Sequence, residues 1–197
     1  MTKNPSFVVL VIVATCFAGC VPAAPPAAAQ APVVAPQPAK AQSVELKILD
    51  FEGIQQLIAS HKGKIVVVDA WSTACPPCMT EFHHLVDLHR EYTPDKVACV
   101  SLSFDYEGIG KAEEQSPRVL DFLREQMATF DNVLSSEESD VLYRKFSLSA
   151  VPAVFVYNQQ GELAQRFDNE EAKTEAEAFT YAEVRELVAD LVKRGEQ

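Results

Sequence analysis

The apolar residues of this chain fall into runs whose spacing changes from one stretch to the next. Ile65-Val66-Val67-Val68 is an unbroken β-branched row, and Lys96 to Phe104 is a second apolar run; both patterns suit strands buried on two faces. Val44 to Ile48 alternates apolar and polar positions, as a half-buried strand does. Between them, Ile54, Leu57 and Ile58 recur at helical spacing within Phe51 to Ser60, and Gly63 stops that helix. After Cys78, residues Phe82, Leu85, Val86 and His89 share one helical face, with Pro94 beyond its end. Asp105 to Ser116 is polar, contains Gly108 and Gly110, and reads as a loop.

The second half repeats the alternation of elements. A helix is predicted over Pro117 to Ala128, with Ser116 as N-cap and Val119, Leu120, Leu123 and Met127 facing inward. Asn132 to Leu134 is a short strand and Ser139 to Phe146 a helix. Val154 to Tyr157 and Glu162 to Phe167 form a hairpin about Gln159-Gln160-Gly161, and a helix over Phe179 to Lys193 closes the chain. Asn169 to Ala178 is acidic and reads as a solvated loop or frayed lead-in. Strands separated by helices, with a hairpin at the end, predict an α/β domain: a central mixed sheet flanked by helices.

Composition divides the chain in three. Residues 1–20 carry one basic residue, Lys3, a short apolar core from Phe7 to Val13, and then Phe17-Ala18-Gly19-Cys20. The core has the length of a signal-peptide h-region. Ala18 and Gly19 before Cys20 resemble a lipobox, in which Cys20 is lipidated, although Phe17 departs from the usual aliphatic residue. Ordinary cleavage beyond Cys20 and an uncleaved anchor are the alternatives, and all three place the domain outside the cytoplasm. Residues 21–42 are almost wholly Pro, Ala, Val and Gln, a linker stiffened toward polyproline II that acts as a spacer. The folded domain is expected over 43–197. The first 42 residues hold two of the 17 basic residues and none of the 28 acidic ones, so the remainder carries about −13. That charge argues against nucleic acid and anionic lipid as partners of the folded part.

The candidate chemistry lies where the first apolar run meets the next helix. Cys75-Pro76-Pro77-Cys78 opens that helix, and two prolines suit its first turn, where N–H groups are not needed. At a helix N-terminus the free N–H groups and the macrodipole favour a thiolate, so Cys75 is the candidate attacking thiol. Cys78, one turn on, is placed to resolve a mixed disulfide. A zinc site would need two further ligands, and no second Cys-x-x-Cys or spaced histidine pair is present. A copper site using both cysteines and His83 or His84 stays open, although the two histidines read first as solvated helix residues. Asp69 ends the apolar run, where a carboxylate is partly desolvated and its pKa is raised. Cys99 falls in a buried strand and reads as a small hydrophobe.

Strand, Asp69, Trp71, Cys-x-x-Cys and helix together resemble the active-site segment of the thioredoxin superfamily. Gly63-Lys64 before the strand and Cys-Pro-Pro-Cys after it are similar to the envelope-anchored TlpA and ResA group. Val151-Pro152 ahead of Ala153 to Tyr157 matches that superfamily's cis-proline loop. The resemblance covers about residues 43–197 and implies a thioredoxin-like fold preceded by a signal peptide and Pro/Ala-rich linker. It implies that Asp69 relays a proton from Cys78, and that Trp71, Pro76, Pro77, Val151 and Pro152 border the substrate. The implied activity is thiol–disulfide exchange without a cofactor, with Cys75 and Cys78 as the redox-active disulfide. The implied partners are exported disulfide proteins, of the apocytochrome c type among others, and a membrane electron donor. Ala74 stands where relatives often have tryptophan, His83 where many have proline, and Ala153 where threonine is frequent. Two other functions remain in view: a copper metallochaperone, and a peroxidase suggested by Ser72-x-x-Cys75, which lacks a proline at Val68.

Overall fold

The structure, a computed structural model, describes residues 43–195; the expectations for the signal peptide, Cys20 and the linker lie outside the described residues. In chain order the elements are β1 (Lys47–Leu49), α1 (Phe51–Ser60), β2 (Ile65–Trp71), α2 (Pro76–Glu81), α3 (His83–Glu91), β3 (Val97–Ser103), α4 (Ser116–Glu125), β4 (Asp131–Ser135), α5 (Ser139–Phe146), β5 (Ala153–Tyr157), β6 (Leu163–Phe167) and α6 (Tyr181–Gly195). The six strands form one sheet in the order β1-β4-β3-β2-β5-β6. The first four run parallel, and β5 and β6 pair antiparallel, so the sheet is mixed as the sequence predicts.

The two apolar rows occupy the centre. Every residue of β2 and β3 is buried, and the two strands pair from Ile65 opposite Val97 to Trp71 opposite Ser103. Alternate residues of β2 point to opposite faces. Val66, Val68 and Ala70 meet α1 and α5 through Ile54, Ile58, Leu142 and Phe146, while Ile65 and Val67 meet α3 and α6 through Leu85, Leu88, Val184 and Val188. Helices therefore cover both faces, and the C-terminal ends of the parallel strands are left as the edge on which loops gather.

Several boundaries differ from expectation, each for a local reason. Val44, Leu46 and Ile48 do turn inward together, but the ladder starts only at Lys47, because the Glu45 carbonyl accepts from the Asn132 side-chain amide at 3.1 Å. The single helix expected after Cys75 is two, α2 and α3, divided at Phe82 without a proline; Leu85 N–H bonds back only three residues, to Phe82. Ser116 is the first residue of α4 and makes no cap; the N-cap position is Gln115. Met127, expected in the core, is 60% exposed. It occupies the left-handed region (φ 56°) after α4, while Met127 N–H bonds Arg124 and Ala128 N–H bonds Leu123, the paired closure of a Schellman helix end. Phe122 takes the inward place instead, and Leu120 is only partly buried. The loops before α4 and α6 each contain a short 3₁₀ turn, at Ala112–Gln115 and Glu175–Glu177. Among the described residues no helix is long and apolar enough to cross a membrane.

Candidate active site

Cys75 reaches its place through a turn clamped from the neighbouring strand. Beyond β2 the chain turns through Ser72, Thr73 and Ala74, and Ser72 and Thr73 tether that turn to Asp105, just past β3. Asp105 is buried and accepts from Thr73 N–H at 3.1 Å, Ser72 Oγ at 3.3 Å, Ser103 Oγ at 2.6 Å, Arg118 Nη2 at 2.9 Å and the Thr73 hydroxyl. Ser72 Oγ in turn accepts from Ala74 N–H at 3.1 Å. Ser72 and Arg118 are both engaged with this clamp.

From that turn Cys75 enters as the N-cap of α2, in extended conformation, with Pro76 and Pro77 as the first helical residues. Its sulfur accepts the Cys78 N–H at 3.2 Å, the contact a capping oxygen would make. A backbone N–H and the helix dipole thus act on the atom where negative charge develops on reduction. Cys75 and Cys78 form a disulfide. Their exposure is unequal: Cys75 is partly exposed and Cys78 is 3% exposed. Of the two sulfur-bearing residues, Cys75 is therefore the more open to solution.

Across from Cys75 lies the loop before β5. The Val151–Pro152 peptide is cis, and the Val151 carbonyl oxygen lies 3.7 Å from Cys75 Sγ. Ala74, Pro76 and Pro77 are exposed, and Val151 and Pro152 partly so, forming a low apolar rim about the sulfur. Trp71 is not part of that rim. It is wholly buried against Phe82 and Phe122, with ring centroids 5.0 and 4.9 Å away, so its place is in the core beneath the site rather than against a substrate.

Behind the disulfide, Asp69 is 4% exposed in the centre of the sheet, opposite Ser101 on β3 and Val154 on β5. Burial pushes its carboxyl up to about 7, against which a hydrogen bond donated by the Tyr181 hydroxyl pulls down. Tyr181 is itself held protonated: burial first, then the Asp69 charge, raise its hydroxyl well above the usual range. Asp69 and Cys78 line one cavity of about 260 Å³, together with Pro77, Glu81, Pro152 and Tyr181. A carboxyl raised to about 7 and open to the same space as the Cys78 sulfur has the properties of a proton acceptor near neutral pH. Tyr181 has no signal in the sequence, since nothing local links it to a residue 112 positions away. Asn169 and Ala178, the ends of the segment expected to be solvated, also line this cavity. Cys99 is buried with a free thiol, raised far above its ordinary value first by burial and then by Asp69. The histidines of the copper reading lie at the start of α3 and gather with Asp87.

A dithiol pair at a helix N-terminus, faced by a cis-proline loop on a mixed sheet, defines a thioredoxin-like thiol–disulfide oxidoreductase. The model of the AhpC/TSA family matches residues 38–166, and the chain belongs to that family. It is similar to the sporulation thiol-disulfide oxidoreductase A of Bacillus subtilis (strain 168), 27% identical over 127 residues, covering 64% of this chain and 71% of that protein. It is also similar to the thiol-disulfide oxidoreductase ResA of Bacillus thuringiensis subsp. konkukian (strain 97-27), 22% identical over 132 residues, covering 67% and 70%. Among solved structures, a thiol-disulfide isomerase from Corynebacterium glutamicum aligns with a TM-score of 0.54 at 18% identity, over 78% of this chain and 97% of that one. That likeness bears on the fold.

Proposed function

We propose that the protein is an envelope reductant of protein disulfides. The reduced Cys75 thiolate attacks one sulfur of a substrate disulfide; a Cys75–substrate bond forms and the first substrate thiolate leaves. Asp69 takes the proton of Cys78, whose sulfur then attacks Cys75 Sγ and expels the second substrate thiolate. Two electrons pass to the substrate and the Cys75–Cys78 disulfide remains. A membrane-borne electron donor must then restore the dithiol. The substrate chain lies along Val151 and Pro152, across the rim of Ala74, Pro76 and Pro77, and exported proteins of the apocytochrome c type are the preferred substrates. A lipid on Cys20 holds the chain at the membrane, and residues 21–42 lift the domain from it.

The observation that carries this reading is the unequal pair: a reachable sulfur that caps a helix and a buried partner sharing a cavity with Asp69. The direction of electron flow depends on the relative stability of the two redox states, and so on the reduction potential. The protein is equilibrated with defined thiol buffers and its free thiols are trapped. A reductant is expected at or below about −270 mV; a value near −120 to −180 mV, the range of strong oxidants and isomerases, contradicts the reductant role. Loss of membrane association in Cys20→Ser tests the anchor.

A further inference from the structure

At the start of α3, outside the redox pair, three side chains converge. One nitrogen of His83, one of His84 and a carboxylate oxygen of Asp87 lie within 4.8 Å of one another. Asp87 lies one helical turn beyond both histidines, at i+4 from His83 and i+3 from His84, within side-chain reach of each. Two further observations separate these histidines from ordinary solvated ones.

The first is what stands behind each ring. His83 Nδ1 lies 2.8 Å from the Thr80 carbonyl oxygen. A carbonyl only accepts, so in the neutral ring Nδ1 holds the proton and Nε2 the lone pair. His84 Nε2 lies 3.3 Å from Glu81 Oε2, and the same reasoning leaves the lone pair of the neutral ring on Nδ1. A backbone carbonyl or a carboxylate behind the second nitrogen is the arrangement that orients metal-bound imidazoles. The second observation is that the rings are held. Their centroids are 3.9 Å apart, and His84 stacks on Tyr181 at 5.2 Å with an interplanar angle of 30°. The His84 side chain is only 33% exposed.

We propose that His83, His84 and Asp87 form a binding site for a divalent transition-metal ion of the zinc type. Two imidazoles and a carboxylate suit zinc, whereas calcium and magnesium favour shells of oxygen alone. Three protein ligands leave a fourth tetrahedral position to water, and Glu81 orients His84 from behind. The ligands come from one exposed helix turn, so the ion is bound reversibly rather than as a structural core. The site uses neither cysteine and stands apart from the copper reading, which needed both.

The test is a calorimetric titration of zinc into the full-length protein in its disulfide form, where Cys75 and Cys78 cannot compete as thiolates. One zinc per chain is expected, with a micromolar Kd. His83→Ala and Asp87→Asn, both at exposed positions, should each weaken binding by about tenfold or more. His89→Ala, farther along α3, should leave it unchanged. Absence of saturable binding in the wild-type protein overturns the proposal, and so does a site that either His83→Ala or Asp87→Asn leaves intact.

Discussion

Two buried aspartates lie near the C-terminal ends of the adjacent strands β2 and β3 and are handled in opposite ways. Asp69, two residues before the end of β2, has one hydroxyl donor, Tyr181, and its carboxyl is pushed up to about 7 by burial. Asp105, just past β3, collects five donors, among them the Arg118 guanidinium. Burial of a carboxylate is tolerated when hydrogen bonds replace its lost water; where they do not, protonation relieves the cost instead. Asp105 therefore serves as a fixed anchor for the turn that delivers Cys75. Asp69 is left as a carboxyl that burial raises to about 7, lining the same cavity as Cys78.

Substitution at each aspartate should separate these roles. Asp69→Asn keeps an acceptor for Tyr181 but removes the base, and disulfide reduction should slow by about 100-fold or more, read as the rate of insulin reduction. The same change should stabilise the fold. An acid raised from 3.8 to about 7 favours the folded state most below pH 4, and this advantage is lost as pH rises toward 7. Above pH 7 the buried charge costs on the order of 4 kcal/mol, so Asp69→Asn should gain up to about that much in denaturant unfolding there, and almost nothing at pH 4. Asp105→Ala should do the reverse: about 3 kcal/mol or more of stability lost at neutral pH, with the ionisation near pH 7 retained. Tyr181→Phe removes the one donor that favours the Asp69 carboxylate, and should move the inflection in the pH–rate profile upward by about one to two pH units. Arg118→Gln should have the smallest effect, about 1 kcal/mol or less, because its side chain is 54% exposed.

The same contrast marks what could be read from the sequence. α1 was legible to the residue and β2 at its start, because an apolar stripe and a β-branched row state their own burial, and the Cys75-x-x-Cys78 turn and the Pro152 loop were legible as well. Asp69 was legible as a carboxylate at the end of an apolar row. Its partner Tyr181 was not, since the contact depends on how α6 packs on the sheet. Asp105 was hidden for a related reason: it opens a polar loop with two glycines, and only the pairing of β2 with β3 brings it under Ser72 and Thr73. Met127 misled because a methionine at helical spacing reads as core, while the helix stops at Glu125 through backbone bonds that no side chain announces. Trp71 lies on the strand where the sequence put it, but in the core and not at the surface.

The measurement that tests the central claim most directly isolates the second chemical step. Cys75 is loaded as a mixed disulfide with a chromophoric small thiol, and the release of that thiol by Cys78 is followed from pH 5 to pH 9. The rate should rise through an inflection near pH 7 in the wild-type protein and in Asp105→Asn, and Asp69→Asn should lose that inflection. An unchanged inflection in Asp69→Asn would contradict the assignment of Asp69 as the acceptor of the Cys78 proton.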